Sequence, residues 1–139
     1  MTLTAKKLPI EGDMALPGVL HCARLTINAS DCTSAAVNEL FDPDTDVFVG
    51  DIRTQIATAF TASTTLTIGD SDDTDGWYTA AQIACTTAVT TGLWKSSSDA
   101  AYGGGKQYVD GNVITMTADG LTVGQINILA EYFVVPPSQ

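Results

Sequence analysis

Only one histidine, His21, stands in this chain of 139 residues, so a Ser-His-Asp or Cys-His mechanism would have a single possible base. It lies between Leu20 and Cys22 in an alternating segment, and no GxSxG elbow occurs elsewhere. A zinc site needs several imidazole or thiolate ligands, and Cys22, Cys32 and Cys85 show no CxxC spacing. The run DSDDTDG (70–76) offers hard oxygens at alternate positions, as Ca²⁺ prefers. Aligned on an EF-hand loop with Gly76 at the turn, however, it puts Ser71 first and Gln82 last, where carboxylates belong. A self-capping acidic turn accounts for it better, with calcium as the alternative. GGGK (103–106) lacks the first glycine of a phosphate loop, and Gln107 replaces its Ser or Thr. The acidic turns could supply a pair of carboxylates for glycoside hydrolysis, but nothing in the pattern buries or orients two of them. The expectation is a protein that is not an enzyme, with no catalytic, cofactor-binding or metal-binding residues and no cofactor.

Charge narrows the partners. Sixteen acidic residues against six basic ones give a net charge of −10. Such a surface repels nucleic acid and anionic membranes, because phosphate binding rests on Lys and Arg. No stretch approaches the ~20 apolar residues of a membrane span. The first residues lack the apolar run of a signal peptide. Three cysteines, an odd number, fit reduced, buried small hydrophobes in a cytoplasm. Lys6 and Lys7 form the only basic cluster, either a solvated tail or an arm reaching an acidic neighbouring subunit. Among the aromatics, Trp77, Tyr78, Trp94 and Tyr102 flank expected loops. They act there as lids on a sandwich or as contact residues, since Trp and Tyr dominate interface hot spots.

The elements that would position these residues are strands. Charged residues are only 16 % of the chain, and Thr, Ser and Gly take their place. Threonine is β-branched and favours strands, whereas strong helix formers are scarce. Residues 1–17 read as an extended N-terminal arm interrupted by Pro9, Gly12 and Pro17. A single β domain is expected over 18–139. In 19–27, Val19, Ala23, Leu25 and Ile27 alternate with Leu20, Cys22, Arg24 and Thr26, a strand period. Ser30 or Asp31 could cap a short helical turn, and DPDTD (42–46) is an acidic turn. Residues 47–60 read as a strand with a bulge at Gly50. TTLTIGD (64–70) is a short strand, WYTAAQIACTTAV (77–89) a short helix then strand, and 95–106 a glycine-rich loop. Strands around 112–118 and 121–135 meet at Asp119-Gly120 and read as a β-hairpin, with Gly124 as a bulge site. Short strands, frequent turns and no long amphipathic helix indicate a sandwich or barrel. The spacing does not separate a jelly roll from an immunoglobulin-like sandwich.

AFTASTTLTIGDSDDTDGWYTAAQI (59–83) followed by GNVITMTADGLTVGQINILAEYFVV (111–135) resembles the small decoration, or cement, proteins of tailed double-stranded DNA bacteriophages. The resemblance covers about the last two thirds of the chain, and the first forty residues do not contribute. It implies a jelly-roll-like β-sandwich with an extended arm, assembled as a dimer or trimer on the capsid exterior after synthesis in the host cytoplasm. Its partner would be the major capsid protein, at junctions between capsid subunits. Contact with the capsid or a neighbouring subunit would then fall to Lys6, Lys7, Leu8, Ile10, Trp94 and Tyr102, and residues 2–16 could add a strand to a capsid sheet edge. The alternative is a tail, head–tail connector or host-glycan-binding virion protein.

Overall fold

Alternation of apolar and polar residues, rich in β-branched side chains, dictates strands along most of the chain. The computed structural model describes residues 3, 5–9, 18–32, 36–61, 64–88, 94–98, 100–120 and 122–135. Strands run in chain order as β1 (Lys6–Leu8), β2 (Leu20–Asn28), β3 (Ala36–Pro43), β4 (Val47–Thr58), β5 (Thr65–Gly69), β6 (Lys95–Ser96), β7 (Lys106–Tyr108), β8 (Ile114–Asp119) and β9 (Gln125–Val134). A 3₁₀ turn at Ala29–Asp31 follows β2, with Asn28 as its N-cap. Here Asp31 caps from inside the turn, its carboxylate accepting the Asn28 backbone N–H.

Two sheets result. One has the order β1-β3-β8-β5; the other has the order β2-β9-β4-β6, with β7 also paired to β4. The chain changes sheet at most connections, which makes a jelly-roll-like β-sandwich. Inward-facing Leu66, Ile68, Ile114 and Met116 of the first sheet share one core with Ala23, Ile52, Ile128 and Tyr132 of the second. The outer faces differ. Thr65, Thr67, Thr115 and Thr117 alternate with the buried residues of β5 and β8. The second sheet's outer face carries charged and amide groups in its middle and apolar groups at one end.

Gly50 is the expected bulge: the pairing of β4 with β9 slips between Val49 and Asp51. A second slip, between Glu39 and Phe41 of β3, turns both Leu40 and Phe41 into the core, where neither is exposed. The expected hairpin of β8 with β9 does not form. β8 pairs with β3 and β5, and β9 with β2 and β4. Asp119-Gly120 still turns, with Gly120 at φ 73°, but the link then crosses to the other sheet. The hydroxyls of Thr61 and Thr64 each donate to Gly120 O at 2.9 Å, and Ala29 N–H donates to Gly124 O. Gly124 is a crossing residue rather than a bulge: at φ 130° a Cβ there would lie 2.5 Å from the Phe60 ring.

Residues 77–88 form turns rather than the expected helix and strand. Trp77, Tyr78, Ile83 and Cys85 are buried, and that spacing fits neither a helix nor a strand period. The segment instead covers the free edge of β5, where Ile68 and Tyr78 exchange backbone hydrogen bonds of 3.1 and 2.9 Å. At the other edge, β1 runs parallel to β3, Lys6 opposite Phe41 and Leu8 opposite Pro43. This part of segment 1–17 is thus engaged with the chain's own sheet.

Candidate functional site

Asp70 follows β5 directly, and the acidic loop folds back over that strand's end. Gly69 permits the approach, because a Cβ there would lie 2.1 Å from Asp73 O. Asp70 Oδ1 accepts the backbone N–H groups of Asp72 and Asp73 at 2.9 and 3.2 Å, and Asp73 Oδ1 accepts that of Asp75. The run is therefore self-capping. Asp70 Oδ1 also accepts the Tyr102 hydroxyl at 3.2 Å. Its Oδ2 accepts Lys106 Nζ and the Tyr108 hydroxyl, both at 2.7 Å. Trp77 Nε1–H donates to that Tyr108 oxygen at 2.7 Å, and the Tyr102 ring meets Trp77 edge-on at 5.5 Å. The lysine of GGGK thus belongs to an internal ion pair rather than to a phosphate cradle.

Burial alone would raise the Asp70 carboxyl. The bonds from Lys106, Tyr108, Asp73 and Asp72 outweigh it and hold the group below its ordinary range. Lys106 is pushed upward against its own desolvation, chiefly by Asp70. Burial, then the Asp70 carboxylate, pushes the Tyr108 hydroxyl up. The Asp70 side chain is wholly buried, and five donors share its two oxygens. A carboxylate offers about four lone-pair sites, so none is left to take a substrate proton. A surface pocket of about 300 Å³ does border Asp70, lined also by Val37, Glu39, Thr74 and Thr115. Among the described residues no group of three His, Cys, Asp or Glu side chains could hold a metal ion.

The residues expected to make contacts are scattered by the fold. Lys6 Nζ donates to Arg24 O at 2.6 Å. Lys7 pairs with Asp42 and, at 3.4 Å, with Asp44, so its acidic partner lies in its own chain. Leu8 is wholly buried in the core, and Ile10 lies outside the described residues. Trp94 is half-buried on the outer face of the five-stranded sheet, with the Arg24 guanidinium 5.4 Å from its ring centre. Tyr102 belongs to the Asp70 cluster. Trp77, read as a lid or a contact, is fully buried. His21 stacks on Tyr132, with ring centres 5.3 Å apart.

The residues missed lie on the five-stranded sheet. Leu20 sits opposite Phe133, and Phe133 opposite Phe48, across β2, β9 and β4. All three point outward and remain 51, 37 and 37 % exposed, beside Val19 at 46 %. The Phe48 ring rests on Gly105, where a Cβ would lie 2.4 Å from it. The next row pairs Cys22, Glu131 and Asp51. Arg53 Nε bridges Asp51 and Glu131 at 3.2 and 3.1 Å. Asp51 also fixes β6, taking the Ser97 N–H and both the Ser96 and Ser97 hydroxyls. The signal was present in the sequence: Phe48 stands between Val47 and Val49, and Phe133 between Tyr132 and Val134. A strand apolar on both faces has an apolar outer face to cover.

A two-sheet sandwich with these crossings is a fold found in phage capsids. The chain is similar, with a TM-score of 0.58 and 14 % identity, to a chain of the cyanophage Pam1 capsid asymmetric unit, covering 90 % of this chain and 95 % of that one. It is also similar to a chain of the acid-stable capsid of Helicobacter pylori bacteriophage KHP30, with a TM-score of 0.57, 11 % identity and coverage of 88 and 92 %. No family model matches the sequence, and no curated protein matches it.

Proposed function

We propose that this chain is a structural virion protein, a decoration or cement protein that binds the outer surface of a tailed-phage head. It would sit at junctions between major capsid subunits, as a homo-oligomer (dimer or trimer), and stabilise the shell. The observation that carries this reading is the likeness to chains of two phage capsids over about nine tenths of this chain. The sequence resemblance of 59–83 and 111–135 to decoration proteins supports the more specific assignment. An acidic surface with a net charge of −10 is suited to a protein partner rather than to the packaged nucleic acid. The richest polar cluster, around Asp70, is saturated by the chain's own donors, so it supports an architectural role rather than catalysis. Residues 1–17 enter the proposal as an arm anchored through Lys6–Leu8.

The test mixes the purified protein with expanded heads lacking it and follows occupancy by sedimentation and cryo-imaging. Stoichiometric binding at fixed lattice positions, with a higher disruption temperature, is the expected result. No binding would overturn the proposal.

A further inference from the structure

We infer that the outward row Leu20–Phe133–Phe48, with Val19, is the docking surface of this protein. Its occupant would be a protein surface presenting an apolar hollow rimmed by Lys and Arg. The inference rests on the decoration reading, in which that surface belongs to the capsid lattice. Register alone makes the row contiguous: direct neighbours across antiparallel strands have Cβ atoms about 5 Å apart, and the two pairings place all three side chains side by side. Phe48 is held down on Gly105, and Phe133 is flanked by neighbours on both sides. Anchors fixed in this way lose little side-chain freedom on binding. Two aromatics and a leucine form the type of centre on which interfaces concentrate their energy.

Charge selects the occupant. The turn from β3 to β4 reaches this same end, where Val135 N–H donates to Asp46 O. Residues 109–112 join it, because Gly111 N–H donates to Pro43 O. The end of the row thus borders Asp46 and the 109–112 turn with Asp110, while Asp42 and Asp44 lie by β1 and are engaged by Lys7. On the other side lie Glu131 and Asp51, shared by Arg53. A second copy docked row to row would bring one acidic rim against another, which opposes association. A basic rim would instead steer the encounter, in a salt-dependent way.

The experiment compares wild type, Leu20→Glu, Phe133→Ser and, on the opposite outer face, Val37→Ser, each checked for folding by thermal melting. Binding to expanded heads lacking the protein is measured at low and high NaCl. Expected are wild-type and Val37→Ser binding alike and weakening with salt, and Leu20→Glu and Phe133→Ser binding about tenfold or more weaker with melting unchanged. Wild type that binds while both row variants bind equally well would overturn the docking surface and leave the decoration reading standing. Wild type that fails to bind would remove both. Sedimentation equilibrium separates the remaining occupant: an oligomer dissociated by Leu20→Glu would assign the row to a second copy and overturn the inference.

Discussion

Two regions of this molecule use similar side chains for opposite ends. Around Asp70, the Tyr102 and Tyr108 hydroxyls donate to a carboxylate, and the Trp77 indole N–H donates to the Tyr108 oxygen. On the five-stranded sheet, Phe48 and Phe133 share a row with Leu20 and face outward. The first region has satisfied its polar groups internally and closes one flank of the sandwich. The second leaves apolar area in water that the fold had no need to expose. A knot of that kind should govern stability and leave binding untouched, and an open row should do the reverse. The comparison can be broken by any substitution that moves both properties together.

The largest effect is expected at the knot. Asp70→Ala takes the buried carboxylate from the Lys106 ammonium, only 19 % exposed, which keeps Asp72 at 3.1 Å, and leaves the Tyr108 hydroxyl without its acceptor. Breaking a buried ion pair from one side costs about 3–5 kcal/mol, a large share of a domain's typical stability. Urea unfolding should show that loss, and the protein that remains folded should bind heads as wild type does. A loss below about 1 kcal/mol would mean that water replaces the carboxylate and that the knot is not structural.

Acid should reveal the same group more gently. Asp70 titrates below its ordinary value of 3.8 when folded, so its contribution is complete above that value. It is lost as pH falls below 3.8 through the lower folded pKa. Lys106, raised from 10.5, contributes fully below 10.5 and loses its contribution as pH climbs beyond. Stability from this pair is therefore flat between the two ordinary values and declines on either side. In Asp70→Asn the acid limb contributed by this group should disappear, which thermal melting between pH 2 and 5 would read. An unchanged acid limb would assign it to other carboxylates.

How these regions stood in the sequence explains why one was easier to read than the other. Period-two alternation gave β2, β4, β5 and β8 near their observed limits, because local pattern and burial agree there. The Gly50 bulge was legible since a glycine interrupts β-branched residues. The hairpin of β8 and β9 was not, because Asp119-Gly120 specifies a turn but not the sheet the chain enters next. That choice is fixed by distant partners, the hydroxyls of Thr61 and Thr64 on Gly120 and the Phe60 ring on Gly124. The acidic run was recognised as self-capping, yet its link to Lys106 joins residues 36 apart and has no local signature. The apolar row had one in its two-faced strands. The loop aromatics Trp94 and Tyr102 are instead engaged by other side chains of the chain.

The smallest expected effect on stability lies at Leu20, and it sharpens the contrast most. Leu20 begins β2 and is half exposed, with a neighbour in the sheet only on the β9 side. Leu20→Ser removes little packing and leaves no buried group unpaired, so the change should stay within about 0.5 kcal/mol. Serine is a weaker strand former, and that difference falls within the same range at a strand end. Equilibrium unfolding gives the number directly. A destabilisation near that of a core leucine, about 2–5 kcal/mol, would mean that the row is packed by the chain itself. The outward apolar face would then be part of the core, and its exposure could no longer be assigned to a partner.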